Sequence, residues 1–215
     1  LQLWTQTPEA NYNNTVEQLR KLYRRAKKVG WPPITAEDLR EGFKALSNDT
    51  AVGIDRWSPK ELKMLPQDAL QALADLLNEV ENSLSWPLHI IHNWVVLMGK
   101  PGGGTRPIAL MPMLYRVWTK VRRPYLQAWE HEHCGSWDAA TKGNSALRAA
   151  LLSLFHDEVG SYSSEEVGAL LFDMERFYDN VDLARLMAQA EATGYPPMLM
   201  ALGCLLYTSD AADEL

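Results

Sequence analysis

Cysteine is scarce. Cys134 and Cys204 are the two in 215 residues, so there is no disulfide framework to read. A long apolar run is missing as well. The longest uncharged stretch, residues 82–99, is interrupted by Pro87, His89, His92 and Asn93 and makes a poor membrane span. The opening residues, LQLWTQTPEANYNN, lack the basic-then-apolar layout of a secretion signal. Net positive charge is also lacking: 21 Lys and Arg stand against 27 Asp and Glu, a formal net charge of -6. Any nucleic-acid reading therefore has to rest on a local patch. No internal repeat and no low-complexity linker is visible. What remains is ordinary globular composition, 47% hydrophobic and 22% charged, in a chain long enough to bury a core. Collagen-like, disordered and disulfide-stapled classes are excluded, and the expectation is a soluble, intracellular chain (cytoplasmic or nuclear) that is not secreted.

The two ends carry expectations of their own. A start at Leu1 rather than Met points to an internal fragment or a partial reading frame. Residues 204–214, CLLYTSDAADE, resemble the in-frame translation of a transposase-type sequencing-library adapter. Residues 204–215 are therefore set aside from fold reasoning as an adapter-derived tail, with a natural helix end and acidic tail as the alternative. On that reading Cys134 is the only natural cysteine, and a lone cysteine is most often a small core residue.

Along the chain, residues 15–29 have helical period and carry Arg20, Lys21, Arg24, Arg25, Lys27 and Lys28, either a solvated face or a phosphate-tracking arm. Gly30-Trp31-Pro32-Pro33 ends that helix. Thr35 caps a second one, with Asp38 in its first turn. Residues 48–57 read as a loop. Ser58-Pro59-Lys60-Glu61 is a capping box opening an amphipathic stretch from 61 to about 84. Residues 94–98, Trp-Val-Val-Leu-Met, are strand-like. Lys100-Pro101-Gly102-Gly103-Gly104 is a turn and 105–110 the return strand, hence a hairpin with a glycine-rich tip. Residues 113–131 are helical, with a kink or break expected at Pro124. Further helices are expected over 143–159 and 182–192, and the apolar run 167–172 reads as a buried strand.

Charge is distributed unevenly. Residues 82–129 contain no acid but hold Lys100, Arg106, Arg116, Lys120, Arg122 and Arg123, interleaved with Trp94, Tyr115, Trp118, Tyr125 and Trp129. Cations among stacking rings suit phosphate backbones and single strands. The plainer alternative is a basic surface helix whose rings, Trp118 and Trp129 among them, face the core.

After the expected strand, LLFDMERFYDNVD places Asp173, Glu175, Asp179 and Asp182 close together. Carboxylates at a strand end suit Mg²⁺, a hard ion with tight octahedral oxygen ligation. Two such ions about 4 Å apart can clamp an in-line phosphoryl transfer. A polar loop ending in Asp182 as helix cap explains the same residues without metal.

Taken in order, GIDRWSPKELKMLP, a Trp-Pro, GKPGGGTRPIALMPMLYRVWTKV, a Gly-Asn-Ser helix and LLFDMERFYDNVD resemble the N-terminal half of a reverse transcriptase domain of the non-LTR retrotransposon type. They are also similar to group II intron and other retroelement polymerases. The resemblance spans roughly residues 35–203. It implies an α+β fold, mostly helical, with a fingers β-hairpin and the first strand of a truncated polymerase palm. Its implied divisions are a basic helical extension over 1–34, fingers over 35–160 and the start of the palm over 161–203.

The same resemblance implies RNA-directed DNA polymerase (nucleotidyltransferase) activity with RNA template, primer DNA and deoxynucleoside triphosphates as partners, and no membrane. Asp173 matches the first catalytic aspartate and metal ligand, with the Met174 carbonyl helping to hold a second Mg²⁺. Tyr178 falls at the steric gate against a ribose 2′-OH. Lys100 and Arg106 fall where fingers residues grip the triphosphate, Arg106 bidentately and Lys100 as a point charge. Arg116, Lys120, Arg122 and Arg123 would contact nucleic acid. Asp179 matches an aspartate more structural than catalytic, and Glu175 has no role.

The departures count equally. The family's aromatic-x-Asp-Asp hairpin has no counterpart, because no Asp-Asp pair occurs anywhere in the chain. The chain is therefore expected to be inactive alone and, with an incomplete palm, marginally soluble. Two alternatives are a haloacid-dehalogenase-type phosphatase and a non-catalytic helical RNA-binding module derived from a retroelement. The first wants an aspartate where Glu175 stands.

Overall fold

The computed structural model describes residues 8–135, 137–141, 143–163, 168, 172 and 181–204. Helix α1 (Pro8–Ala26) begins earlier than the apolar period suggests, with proline at its first position, where a missing N–H costs nothing. Helix α2 (Ala36–Lys44) starts at a capping box. The Thr35 hydroxyl accepts from the Asp38 N–H at 3.2 Å, and the Asp38 carboxylate accepts from the Thr35 N–H at 2.8 Å. Helix α3 (Pro59–Lys63) repeats the device with Ser58 and Glu61, and the Ser58 hydrogen bonds hold the Glu61 carboxyl below its usual range.

The amphipathic stretch expected to run unbroken from 61 to 84 is two helices. Helix α3 stops at Met64, and α4 (Gln67–Ser83) begins after Pro66. Proline lacks an N–H and disfavours a helical residue before it, so the turn at 64–66 separates them. Leu84 ends α4 in the left-handed region, φ 54°. A short helix α5 (Leu88–Ile91), absent from the sequence expectations, leads into β1 (Trp94–Gly99) and β2 (Thr105–Leu110).

The strands pair antiparallel in the register Trp94↔Leu110 to Gly99↔Thr105. The Lys100 N–H donates to the Gly104 carbonyl at 3.0 Å, and Gly103 and Gly104 sit at φ 91° and 82°. Those two positions require glycine, since other residues enter that region at a cost. Helix α6 (Met113–His133) continues past Pro124, so of the kink or break expected there the break does not occur. Pro124 is exposed, and water can take up the carbonyl that its missing N–H leaves.

Helix α7 (Ala146–Tyr162) is capped by Ser145. Helix α8 (Leu183–Ala192) is capped by Asp182, whose carboxylate accepts from the Arg185 N–H at 2.9 Å. Helix α9 (Pro197–Cys204) is a further element that the sequence reading did not contain. The strand expected over 167–172 lies outside the described residues except for Gly168 and Phe172, neither of which is in regular structure.

One core joins the first and last described helices. Leu19, Leu22 and Ala26 of α1 belong to the same buried cluster as Leu39 and Phe43 of α2, Leu70 and Leu77 of α4, Val117 and Trp118 of α6, and Ala201 and Leu202 of α9. The Trp86 indole N–H donates to the Leu202 carbonyl at 3.0 Å. Burial pushes the Cys204 thiol up to about 11 and the Tyr23 phenol up to about 12. The result is a largely helical α+β arrangement with one two-stranded sheet among the described residues. None of its described helices is long and apolar enough to cross a membrane.

Candidate nucleic-acid interface

The hairpin stands clear of the helical body. All six residues of β1 are exposed, and β2 is exposed except at Leu110. Arg106 lies opposite Met98 in the ladder, and Lys100 sits just past the end of β1. Both side chains are exposed and have no ion pair or hydrogen bond among the described residues. The two cations expected at a triphosphate are therefore open to solvent at the glycine-tipped end.

Helix α6 sorts its cations by face. Residues 118 and 122 lie one turn apart on the side that also buries Val117, while 116, 120 and 123 follow i, i+4, i+7 spacing on another side. Arg122 is accordingly withdrawn from the expected patch: it is 3% exposed. Its Nε donates to Glu81 Oε1 at 2.6 Å and its Nη2 to Glu81 Oε2 at 2.5 Å and to the Pro32 carbonyl at 3.0 Å. Its guanidinium also lies 5.2 Å from the Trp31 ring and 5.9 Å from Tyr125. A fork satisfied in this way has no face left for phosphate. Arg116 is half-buried and donates to the Ala51 carbonyl at 2.6 Å; burial lowers its pKa, against the pull of Asp55. Lys120 is half-exposed and Arg123 exposed, both without partners among the described residues.

The rings are mostly committed elsewhere. Trp118 is fully buried and donates to Glu81 at 2.8 Å. Tyr115 packs on Trp86 and Trp118, and Tyr125 stacks on Trp31 at 4.2 Å. Trp129 donates to the Thr193 carbonyl at 2.7 Å. Of the five rings interleaved with the cations, Trp94 alone is exposed, at 48%. The interleaving that suggested base stacking is mainly the packing of α6 against its neighbours.

The GIDRW segment has a role that sequence reasoning missed. Helix α6 has no side-chain cap of its own, because Pro112 precedes it. Asp55 supplies one from a distance: its Oδ2 accepts from the Met113 N–H at 2.6 Å and the Leu114 N–H at 3.3 Å. Its Oδ1 is buried with no partner among the described residues. A Cβ on Gly53 would come within 2.8 Å of the backbone of Met111 and Pro112. A proline at the cap position is the local signal at this helix, and α4 and α5 follow a proline with no side-chain cap, so the signal does not by itself single out α6.

Asp173, Met174 and Tyr178, with Glu175 and Asp179, lie outside the described residues. Of the four clustered carboxylates, Asp182 is the one described, and it is a helix cap. Among the described residues no three His, Cys, Asp or Glu side chains gather as a metal site. A cavity of about 370 Å³ is lined by Gln127, Glu130, His131, Cys134, Gly135, Thr141 and Asn144. Burial, then Asp138 and Glu130, raises the Cys134 thiol, which makes it a poor nucleophile.

Comparison with family models, with curated proteins and with solved structures returned no match.

Proposed function

We propose that this chain is part of a retroelement RNA-directed DNA polymerase and carries its fingers and the start of its palm. The observation that supports the reading best is the free-standing hairpin, with unpartnered Lys100 and Arg106 beside a tip of three glycines. Arg106 grips a triphosphate through its planar fork, and Lys100 adds a point charge. The left-handed glycines let the tip close on the nucleotide. Asp173 and the Met174 carbonyl would hold Mg²⁺, which would supply charge neutralisation for phosphoryl transfer. Tyr178 would serve as the steric gate that disfavours a 2′-OH. Template and primer run along the open face of α6, on Lys120 and Arg123, with Arg116 at its margin.

This chain alone is proposed to extend no primer, since it contains no Asp-Asp pair to complete the metal site. That same observation favours a second reading, a non-catalytic helical RNA-binding module. Nucleotide binding separates the two. Equilibrium dialysis with labelled deoxyadenosine triphosphate and Mg²⁺ is expected to show binding that Arg106→Ala weakens about tenfold to a hundredfold, a charge-assisted hydrogen bond being worth about 1.5–3 kcal/mol. No nucleotide binding, or equal binding by the variant, removes the polymerase reading and leaves the RNA-binding module.

A further inference from the structure

The cations of α1 divide into two sets. Lys21 and Arg25 face α8 and are held by Glu191, at 2.7 Å from the Lys21 Nζ and 3.6 Å from the Arg25 Nη1. Arg20, Arg24, Lys27 and Lys28 are not held: the four are exposed and have no ion pair or hydrogen bond from their side chains among the described residues. The Lys27 N–H still donates to the Tyr23 carbonyl at 3.0 Å, so helical register persists past Ala26. Arg20, Arg24 and Lys27 then follow i, i+4, i+7 spacing on one face, with Lys28 at its edge. At about 1.5 Å rise per residue the row is about 12 Å long. The acid closest to it on the helix, exposed Glu17, lies one turn before its start.

Four uncompensated like charges repel one another, yet they persist in a chain of net charge -6. Charge of one sign in a row fits a polyanion. The row has no apolar partner face to put into a lipid surface, because Leu19, Leu22 and Ala26 are buried at 1%, 5% and 0% exposure in the core. A nucleic-acid backbone remains, since it needs cations alone. We propose that the outer face of α1, formed by Arg20, Arg24, Lys27 and Lys28, is a docking surface for the phosphodiester backbone of single-stranded nucleic acid. It uses residues other than those of the hairpin and of α6, and it does not depend on polymerase chemistry.

The test uses the whole chain and a fluorescent oligouridylate, with anisotropy measured across a salt series. Changing Arg20, Arg24, Lys27 and Lys28 together to Gln is expected to flatten the slope of log affinity against log salt by about 2–3, at roughly 0.7 per single-strand phosphate contact. Affinity at low salt should fall tenfold or more. R20K/R24K, which keeps the charge, should keep the slope. A slope unchanged in the Gln variant overturns the surface, and if Lys120→Gln with Arg123→Gln still flattens it, the α6 interface survives. No oligouridylate binding by the parent chain overturns both. Tighter binding to phosphatidylserine vesicles than to oligouridylate, abolished in the Gln variant, overturns it in favour of a membrane surface. All four positions are exposed, so the melting transition should not move; a Lys27→Gln, Lys28→Gln pair gives half the effect should the quadruple variant misfold.

Discussion

Glu81 is the residue on which three parts of the chain converge. At 8% exposure it accepts from Trp118 and twice from Arg122, and Arg122 in turn reaches the Pro32 carbonyl. The cluster thereby ties α4, α6 and the Trp31-Pro32 turn together. A buried pair gains little over apolar packing but becomes costly once one partner is removed, because an uncompensated charge stays inside. Arg122→Ala is therefore expected to lose about 3–5 kcal/mol in urea unfolding. Glu81→Leu combined with Arg122→Met should recover most of that loss. A single-variant loss below about 1 kcal/mol, the range of an exposed pair, would show that Arg122 is solvated and available to phosphate after all.

At the scale of elements, the start of α6 decides where the hairpin sits. Asp55 caps it and Gly53 lets the capping loop lie against Met111 and Pro112. Gly53→Ala pushes a methyl into backbone that cannot swing aside, and about 1–3 kcal/mol of destabilisation is expected from overpacking of this kind. Thermal unfolding measures it, and an unchanged midpoint would mean that the loop is free of α6. Features that depend on neighbouring residues were legible in the sequence: the Thr35 cap, the Ser58–Glu61 capping box, the glycine turn and, as one of two readings, the Asp182 cap follow from side chains close along the chain. Pro66 and Pro124 were harder to separate. The first divides two helices, while the second is carried inside α6, which is held before it by Trp118 and after it by the Tyr125–Trp31 stack and the Trp129 hydrogen bond. Long-range partners account for the remaining misses. Arg122 reads as one more cation until Glu81, 41 positions earlier, is folded against it. Lys100 and Arg106 stand out in the sequence as members of the acid-free cationic run, their triphosphate role is what the resemblance implies, and the hairpin leaves both exposed.

For the whole molecule, the balance of covered and uncovered apolar surface sets its behaviour in solution. One core draws in residues from Leu19 to Cys204, yet α7 lies outside it with Leu147, Leu151, Phe155 and Val159 exposed at 70%, 47%, 61% and 63% along one stripe. Leu152 and Leu154, exposed at 57% and 55%, flank that stripe on its two sides, so the exposed apolar residues of α7 form one broad face. The hairpin adds Trp94, Val95, Leu97 and Met98, each about half exposed or more. Exposed apolar surface of this extent favours association, and two-stranded ribbons present free edges to it. The isolated chain is expected to self-associate, its weight-average mass in sedimentation rising with concentration. Leu151→Glu with Phe155→Glu should shift it towards monomer, since each places a charge on the α7 stripe while leaving the buried cluster untouched. A monomer at every concentration, with a sharp melt independent of concentration, would show that this surface is covered within the chain itself.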